Sequence, residues 1–177
     1  MYAFDYHKPK SVADAVAQLG KASDGKLLAG GMTLLPTLKQ RLASPSDLVD
    51  LAGIAELSGI TVSGTTVTIG AMTKHAAVAA SAEVKKVIPA LASLAFGIGD
   101  PMIRNRGTMG GSVANNDPAA DYPGAVLGLG ATVHTNKRTI AGDDFFKGMF
   151  ETALEPNELI VKIEYPAPKR AAYTKFR

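Results

Sequence analysis

The sequence predicts an α+β protein, and three observations carry that assignment. Residues 60–62 and 67–69 alternate apolar and polar around Ser63-Gly64-Thr65-Thr66, the signature of a β-hairpin. Segments opening on Ser or Thr, with apolar residues three and four apart, mark amphipathic helices. Both kinds of element are interleaved along 177 residues, long enough to bury roughly 70% of the unfolded surface.

In chain order, Tyr2, Phe4 and Tyr6 alternate as an opening strand. Ser11 then caps a helix, with Asp14 three residues on, Val12, Ala15, Val16 and Leu19 on one face, and Gly20 as its stop. Residues 26–29 form the next strand. Thr33 caps a helix whose buried stripe is Leu34, Leu35, Leu38 and Leu42, with Pro36 tolerated in the first turn. Residues 47–51 complete a βαβαβ-like lobe ending near Gly53. After the hairpin, Thr73 caps a helix containing residues 75–80, and a longer helix from Ala82 to Phe96 is kinked or broken at Pro89 and ended by Gly97 and Gly99. The turn Asp117-Pro118-Ala119-Ala120-Asp121 feeds an alanine-rich helix to Leu129. Residues 131–135 and 159–165 read as strands. The expected organisation is two lobes, 1–54 and 55–177.

Composition excludes several classes. With 46% hydrophobic and 20% charged residues the chain is an ordinary globular one rather than a disordered one. It has no cysteine, which rules out disulfides, thiolate metal sites, iron–sulfur ligation and cysteine nucleophiles, and fits a reducing cytoplasm. No apolar run approaches the roughly 18 residues of a spanning helix. The expectation is a soluble, cytoplasmic protein. The net charge of +3 comes from scattered lysines and arginines without an aromatic platform, so nucleic acid is a poor partner. The three histidines lack metal-ligand spacing, and no Ser-His-Asp context is present, so no metal and no catalytic side chain is assigned.

Two glycine pairs some eighty residues apart are the main functional signal: Ala29-Gly30-Gly31-Met32-Thr33 and Thr108-Met109-Gly110-Gly111-Ser112. Glycine admits positive φ and close approach of a ligand to the backbone, and free amides beside a hydroxyl suit an anion. Either pair alone reads as a tight turn. Together, with matching hydroxyls, they point to two loops gripping one pyrophosphate. Arg104 and Arg106 either balance that charge or join the lobes by salt bridges. His75 is a satisfied polar residue or a distant neighbour of the ligand, and His7 and His134 are structural or exposed.

The stretch from Ile103 to Asp121, with Leu27-Leu28-Ala29-Gly30-Gly31-Met32-Thr33-Leu34, Ile69-Gly70-Ala71-Met72-Thr73-Lys74-His75 and Glu158-Leu159-Ile160, resembles the FAD-binding medium subunit of molybdenum hydroxylases, the carbon monoxide dehydrogenase and xanthine dehydrogenase family. The resemblance covers nearly all of the chain. It implies a two-lobed, PCMH-type fold with FAD extended between the lobes. On that likeness, residues Leu27 to Leu34 wrap the diphosphate and Thr108, Gly110, Gly111 and Ser112 hold it from the other side. Asp121 and Asp117 accept hydrogen bonds from polar FAD groups; alone, each reads as a carboxylate at a helix N-terminus. Ile98 and Ile160 match positions lining the adenine or neighbouring pocket, and Lys175 a lysine that reaches the cofactor; by composition alone these are core and surface.

The resemblance further implies non-covalent FAD, with iron–sulfur clusters and molybdenum cofactor on a small and a large partner subunit, and electrons leaving to an external acceptor. Relatives continue past Tyr173-Thr174-Lys175-Phe176-Arg177 into a further domain, which this sequence lacks. Two other classes stand beside this one: a free-standing flavin reductase similar to the cell-wall precursor reductase, and a non-catalytic nucleotide-binding or docking module.

Overall fold

Ser11 opens the first helix as its position predicts: its Oγ accepts from the Asp14 amide at 3.1 Å. The computed structural model, which describes residues 1–175, runs β1 (Asp5–His7), α1 (Val12–Lys21), β2 (Gly25–Leu28), α2 (Leu34–Lys39) and β3 (Asp47–Asp50). These three strands form a parallel sheet in the order β1-β3-β2. Leu48 and Val49 of the central strand are fully buried, as a strand covered on both faces requires.

Four boundaries differ from the sequence pattern. Tyr2 lies ahead of β1, which starts only at Asp5, and is about half exposed, as is Tyr6 on this edge strand; Tyr6 Oη donates to Asp50 Oδ2 at 2.5 Å. Helix α1 passes Gly20 by one residue. Thr33 already has helical backbone angles and makes no side-chain cap. Leu42 lies beyond α2 and is 74% exposed, because Arg41 turns left-handed (φ 60°) and the Leu42 amide bonds back to Thr37 O at 3.1 Å, a Schellman-type ending.

After two 3₁₀ turns, Leu51–Gly53 and Ala55–Leu57, β4 (Ile60–Ser63) and β5 (Thr66–Gly70) form the hairpin, with Gly64 at φ 57° in a two-residue loop. Then come α3 (His75–Ala80), α4 (Ala82–Val87) and α5 (Pro89–Phe96). Pro89 breaks the long apolar segment into two helices, since it can neither donate to α4 nor avoid clashing with it. Thr73 does not cap α3: its Oγ1 donates to Gly59 O and accepts from Gly59 N, both at 3.0 Å, tying the start of the hairpin to its end.

The chain continues through α6 (Pro101–Arg104), α7 (Met109–Asn115), α8 (Tyr122–Gly128), β6 (Thr132–Thr135), β7 (Thr139–Ala141), α9 (Gly142–Phe145), β8 (Phe146–Gly148), β9 (Glu151–Thr152) and β10 (Ile160–Pro166). The alanine-rich helix thus starts at Tyr122; Asp117 and its neighbours stay in a turn. A five-stranded antiparallel sheet, order β4-β5-β10-β6-β7, has β10 at its centre. Val67, Ile69, Val133, Ile163 and Tyr165 from this sheet pack with Val78, Leu91, Met109, Val113 and Val126 from the helices in one large buried cluster. A smaller cluster joins Ala15 and Val49 to Leu57 and Leu159, so the two sheets share a hydrophobic contact beside the cleft described next.

Glu158 fixes the entry to β10. Its side chain is fully buried, and it accepts from Arg138 Nε and Nη2 (both 3.0 Å), Thr135 Oγ1 (2.7 Å) and the Glu155 amide (2.8 Å). Burial opposes its ionisation, but these donors outweigh that and hold its carboxyl at about 2.

Candidate functional site

The first glycine loop leaves β2 at Leu28 and turns at Gly31, whose φ of 76° is strained for any other residue. Gly30 is there for a different reason. A Cβ on it would lie 2.3 Å from Arg106 O and 2.7 Å from Gly107 Cα, so the loop rests directly on the backbone leading into the second glycine segment. From Gly30 to Leu34, no amide donates a hydrogen bond within the described residues.

The second segment is built differently. Residues 71–75 run antiparallel to 107–110: His75 N donates to Gly107 O (3.0 Å), Met109 N to Thr73 O (3.0 Å) and Gly110 N to Ala71 O (2.8 Å). Thr108 caps α7, its Oγ1 accepting from Gly111 N at 3.2 Å. The expectation of bare amides at this pair is therefore overturned, since both glycine N–H groups are already engaged. Nor is positive φ the reason for these glycines, which lie in the first turn of α7. Gly110 is required because a Cβ would come within 2.5 Å of Ala71 Cβ, and a Cβ on Gly111 would meet Ala29 Cβ at 3.2 Å. The two glycine loops touch.

Between them opens a cleft of about 650 Å³. Of the residues singled out by sequence, Leu27, Ala29, Gly30, Gly31, Met32, Thr33, Leu34, Ile98, Thr108, Gly110, Gly111, Ser112, Asp117, Asp121, Ile160 and Lys175 all line it. Leu28 does not; it sits in β2 opposite Asp50. Asp117 Oδ1 accepts from the Ala119 amide at 2.9 Å, which holds the turn before α8. Asp121, 8% exposed, receives Tyr173 Oη on Oδ1 and Lys175 Nζ on Oδ2 (2.9 Å).

Arg104 and Arg106 play neither role foreseen for them. Arg104 Nη1 donates to Ile98 O (3.1 Å) and Gly99 O (3.0 Å), with its guanidinium over the Phe96 ring, and Arg106 is exposed. Neither lines the cleft nor forms an ion pair among the described residues. The lysines Lys26 and Lys175 do line it.

His75 is the residue that sequence reasoning placed least well. It is 4% exposed, lines the cleft, packs against Gly107 and lies 5.3 Å from the Tyr122 ring, yet its Nδ1 is buried without a partner among the described residues. Burial pushes its pKa down to about 4 against the opposing pull of Asp121, so the ring is neutral at pH 7. Other lining residues, quoted above as motif or helix-end residues but not assigned to the site, include Ala71, Met72, Gly99, Ile103, Gly107 and Leu159. The Gly70-Ala71-Met72 turn beside the hairpin was the available signal for two of them; Ile103 and Leu159 have the pattern of core residues. Among the described residues no cluster of three or more His, Asp or Glu side chains suits a metal, and no helix is long and apolar enough to cross a membrane.

The cleft thus offers free amides for an anion, apolar side chains at Leu27, Ile98, Ile103 and Ile160 for a planar ring, and carboxylates for donors; its two lysines are each paired, Lys26 with Asp24 (3.0 Å) and Lys175 with Asp121 (2.9 Å). Its volume lies within the range of small-molecule and cofactor sites. These features fit an extended dinucleotide.

Known proteins give the same picture. The chain is 46% identical over 171 residues to the carbon monoxide dehydrogenase medium chain of Hydrogenophaga pseudoflava, covering 93% of this chain and 59% of that protein. It is 44% identical over 183 residues to the corresponding medium chain of Afipia carboxidovorans, covering 99% of this chain and 64% of the relative. A solved structure of carbon monoxide dehydrogenase from Hydrogenophaga pseudoflava, lacking the Mo-pyranopterin moiety of the molybdenum cofactor, superposes with a TM-score of 0.90 at 47% identity over 93% of this chain and 59% of that one. The chain therefore spans about three fifths of the length of these relatives. Residues 2–168 match the family described as the FAD binding domain in molybdopterin dehydrogenase, and the chain belongs to that family.

Proposed function

We propose that the cleft holds FAD non-covalently and that the chain is the flavin-bearing part of a molybdenum hydroxylase. In that assembly it takes reducing equivalents from an iron–sulfur small subunit, fed by a molybdenum large subunit, and passes them to an external acceptor. The observation that carries the reading is the run of unpaired amides from Gly30 to Leu34 on the wall of a cleft closed by the second glycine segment. A diphosphate supplies the acceptors such a run lacks.

When bound, FAD supplies the redox chemistry. The chain's residues bind and orient it. Residues 29–34 donate to the diphosphate, with Leu28 anchoring the loop to β3. Gly110 and Gly111 act by shape, allowing the opposite wall to come close, while Thr108 holds α7 in register and Ser112 presents a hydroxyl. Ile98 and Ile160 cover apolar ring surface, Asp121 accepts from hydroxyl or amino groups, and Lys175 reaches the cofactor's end of the cleft paired with Asp121. Asp117 acts through the turn it holds. No side chain is needed as acid or base. The division into lobes 1–54 and 55–177 belongs to this reading and is supported by the separate parallel and antiparallel sheets. So does a cytoplasmic location, with which a chain free of cysteine is compatible.

The partners follow from the relatives, which are named as medium chains of carbon monoxide dehydrogenase. The test is the visible absorption of the purified chain before and after incubation with FAD, followed by co-purification with cysteine-rich and molybdenum-bearing chains. Flavin bands retained after gel filtration support the reading. A colourless protein that cannot be reconstituted refutes it.

A further inference from the structure

After β10 the chain leaves the sheet, with the Ala167 amide bonded to Thr65 O at 2.6 Å, and returns across the end of the cleft to Lys175. On the way the Tyr173 ring packs against the large hydrophobic cluster and delivers its hydroxyl to Asp121 Oδ1. Lys175 Nζ takes the other oxygen, Oδ2, at 2.9 Å and also lies 3.5 Å from Gly97 O at the end of α5. Asp121 is the residue that opens α8, yet it makes no capping bond there. Its carboxylate is turned away from its own helix and held by residues more than fifty positions later in the chain.

A carboxylate on a single-bonded stem rotates freely unless donors fix both oxygens. We infer that Tyr173 is a positioning residue of the cleft: with Lys175 it locks the plane of the Asp121 carboxylate, so that the remaining lone pairs face hydroxyl or amino donors of the bound nucleotide. This rests on the FAD reading above and adds to it a residue that touches the cofactor only through Asp121. The arrangement uses each partner suitably. Lys175 alone is a flexible point charge on an exposed strap, whereas the tyrosine hydroxyl is carried by a rigid, partly buried ring that packs against the large hydrophobic cluster. Burial, reinforced by the neighbouring carboxylate, raises the Tyr173 pKa to about 12, so it remains a donor throughout the range in which the protein works.

The experiment is a double-mutant cycle on the 177-residue chain, using FAD as the probe and quenching of flavin fluorescence as the readout. Wild type, Tyr173→Phe, Asp121→Asn and the double variant are titrated, with melting of each FAD-free protein recorded beside them. Tyr173→Phe is expected to weaken FAD binding about tenfold. In the Asp121→Asn background the same change is expected to cost less than twofold, because the group it orients is gone. Equal affinity of Tyr173→Phe and wild type overturns the inference while leaving the FAD reading intact. Losses that simply add, which a purely structural tyrosine produces, overturn it as well. A wild-type chain that takes up no FAD overturns both.

Discussion

Replacing Gly30 by alanine tests whether the two glycine loops form one site. The added Cβ would stand 2.3 Å from Arg106 O, where ordinary contact begins near 3.4 Å, and both neighbours are backbone that has no rotamer to change. The loop must therefore move by about 1 Å, at a stability cost of about 1–3 kcal/mol, typical of overpacking. In a chain of this size each kcal/mol lowers Tm by roughly 2–4 °C. The consequence for ligand is larger. A shift of that size breaks at least two hydrogen bonds from the loop amides to a charged diphosphate, each worth about 1.5 kcal/mol or more, so FAD affinity falls roughly a hundredfold. The control is Gly124→Ala in α8, where nothing lies within 4 Å; that change should raise stability by roughly 0.5–1 kcal/mol and leave FAD binding unaltered. Thermal melting and FAD titration measure both. Unaltered FAD affinity in a folded Gly30→Ala protein would refute the reasoning.

Three further outcomes follow from the same geometry. Because the His75 pKa is about 4 in the folded chain and near 6.5 when unfolded, the unfolded state takes up its proton first; stability from the neutral ring is complete above pH 6.5 and falls by roughly 3 kcal/mol as pH drops to about 4. Urea midpoints against pH should show this slope in wild type and lose it in His75→Phe; parallel curves would contradict it. Arg138→Leu strands the buried Glu158 carboxylate. Stability at pH 7 should fall, and acid unfolding, delayed in wild type by a Glu158 pKa of about 2, should move to higher pH, as read by circular dichroism. Thr108→Ala removes the cap of α7 at a cost of about 0.5–2 kcal/mol in denaturant melts, with FAD weakened less than by Gly30→Ala.

Elements specified by local chemistry were legible in the sequence. Helix α1 announces itself through Ser11 and Asp14, the β4–β5 hairpin through its alternation around Gly64, and the end of α4 through Pro89. Elements β7, β8 and β9, together with α6 and α9, escaped because each is two to four residues long, too short for a period to appear. Leu42 and Tyr6 show the opposite failure, in which a good local pattern is cut by a left-handed Arg41 or an edge position.

The candidate site divides the same way. Both glycine pairs were visible as motifs, and the site residues matched to the family, Leu28 apart, line one cleft. What the motif could not convey is that Gly110 N–H belongs to Ala71 O, thirty-nine positions earlier, or that Tyr173 reaches Asp121 across fifty-two. Those pairings depend on how segment 71–75 and the strap after β10 pack. They turn two apparently equivalent jaws into one whose amides have no acceptor among the described residues and one whose glycine amides are already bonded.

The central claim is that the loop from Gly30 to Leu34 receives the FAD diphosphate on its free amides. Titrating the ¹⁵N-labelled chain with FAD and following each amide resonance tests it most directly. The account predicts large shifts at Gly30, Gly31, Met32, Thr33 and Leu34, with slowed amide exchange there, and smaller ones at Gly110 and Gly111, whose N–H groups keep their protein partners. FAD bound tightly while the Gly30–Leu34 amides neither shift nor slow would contradict it.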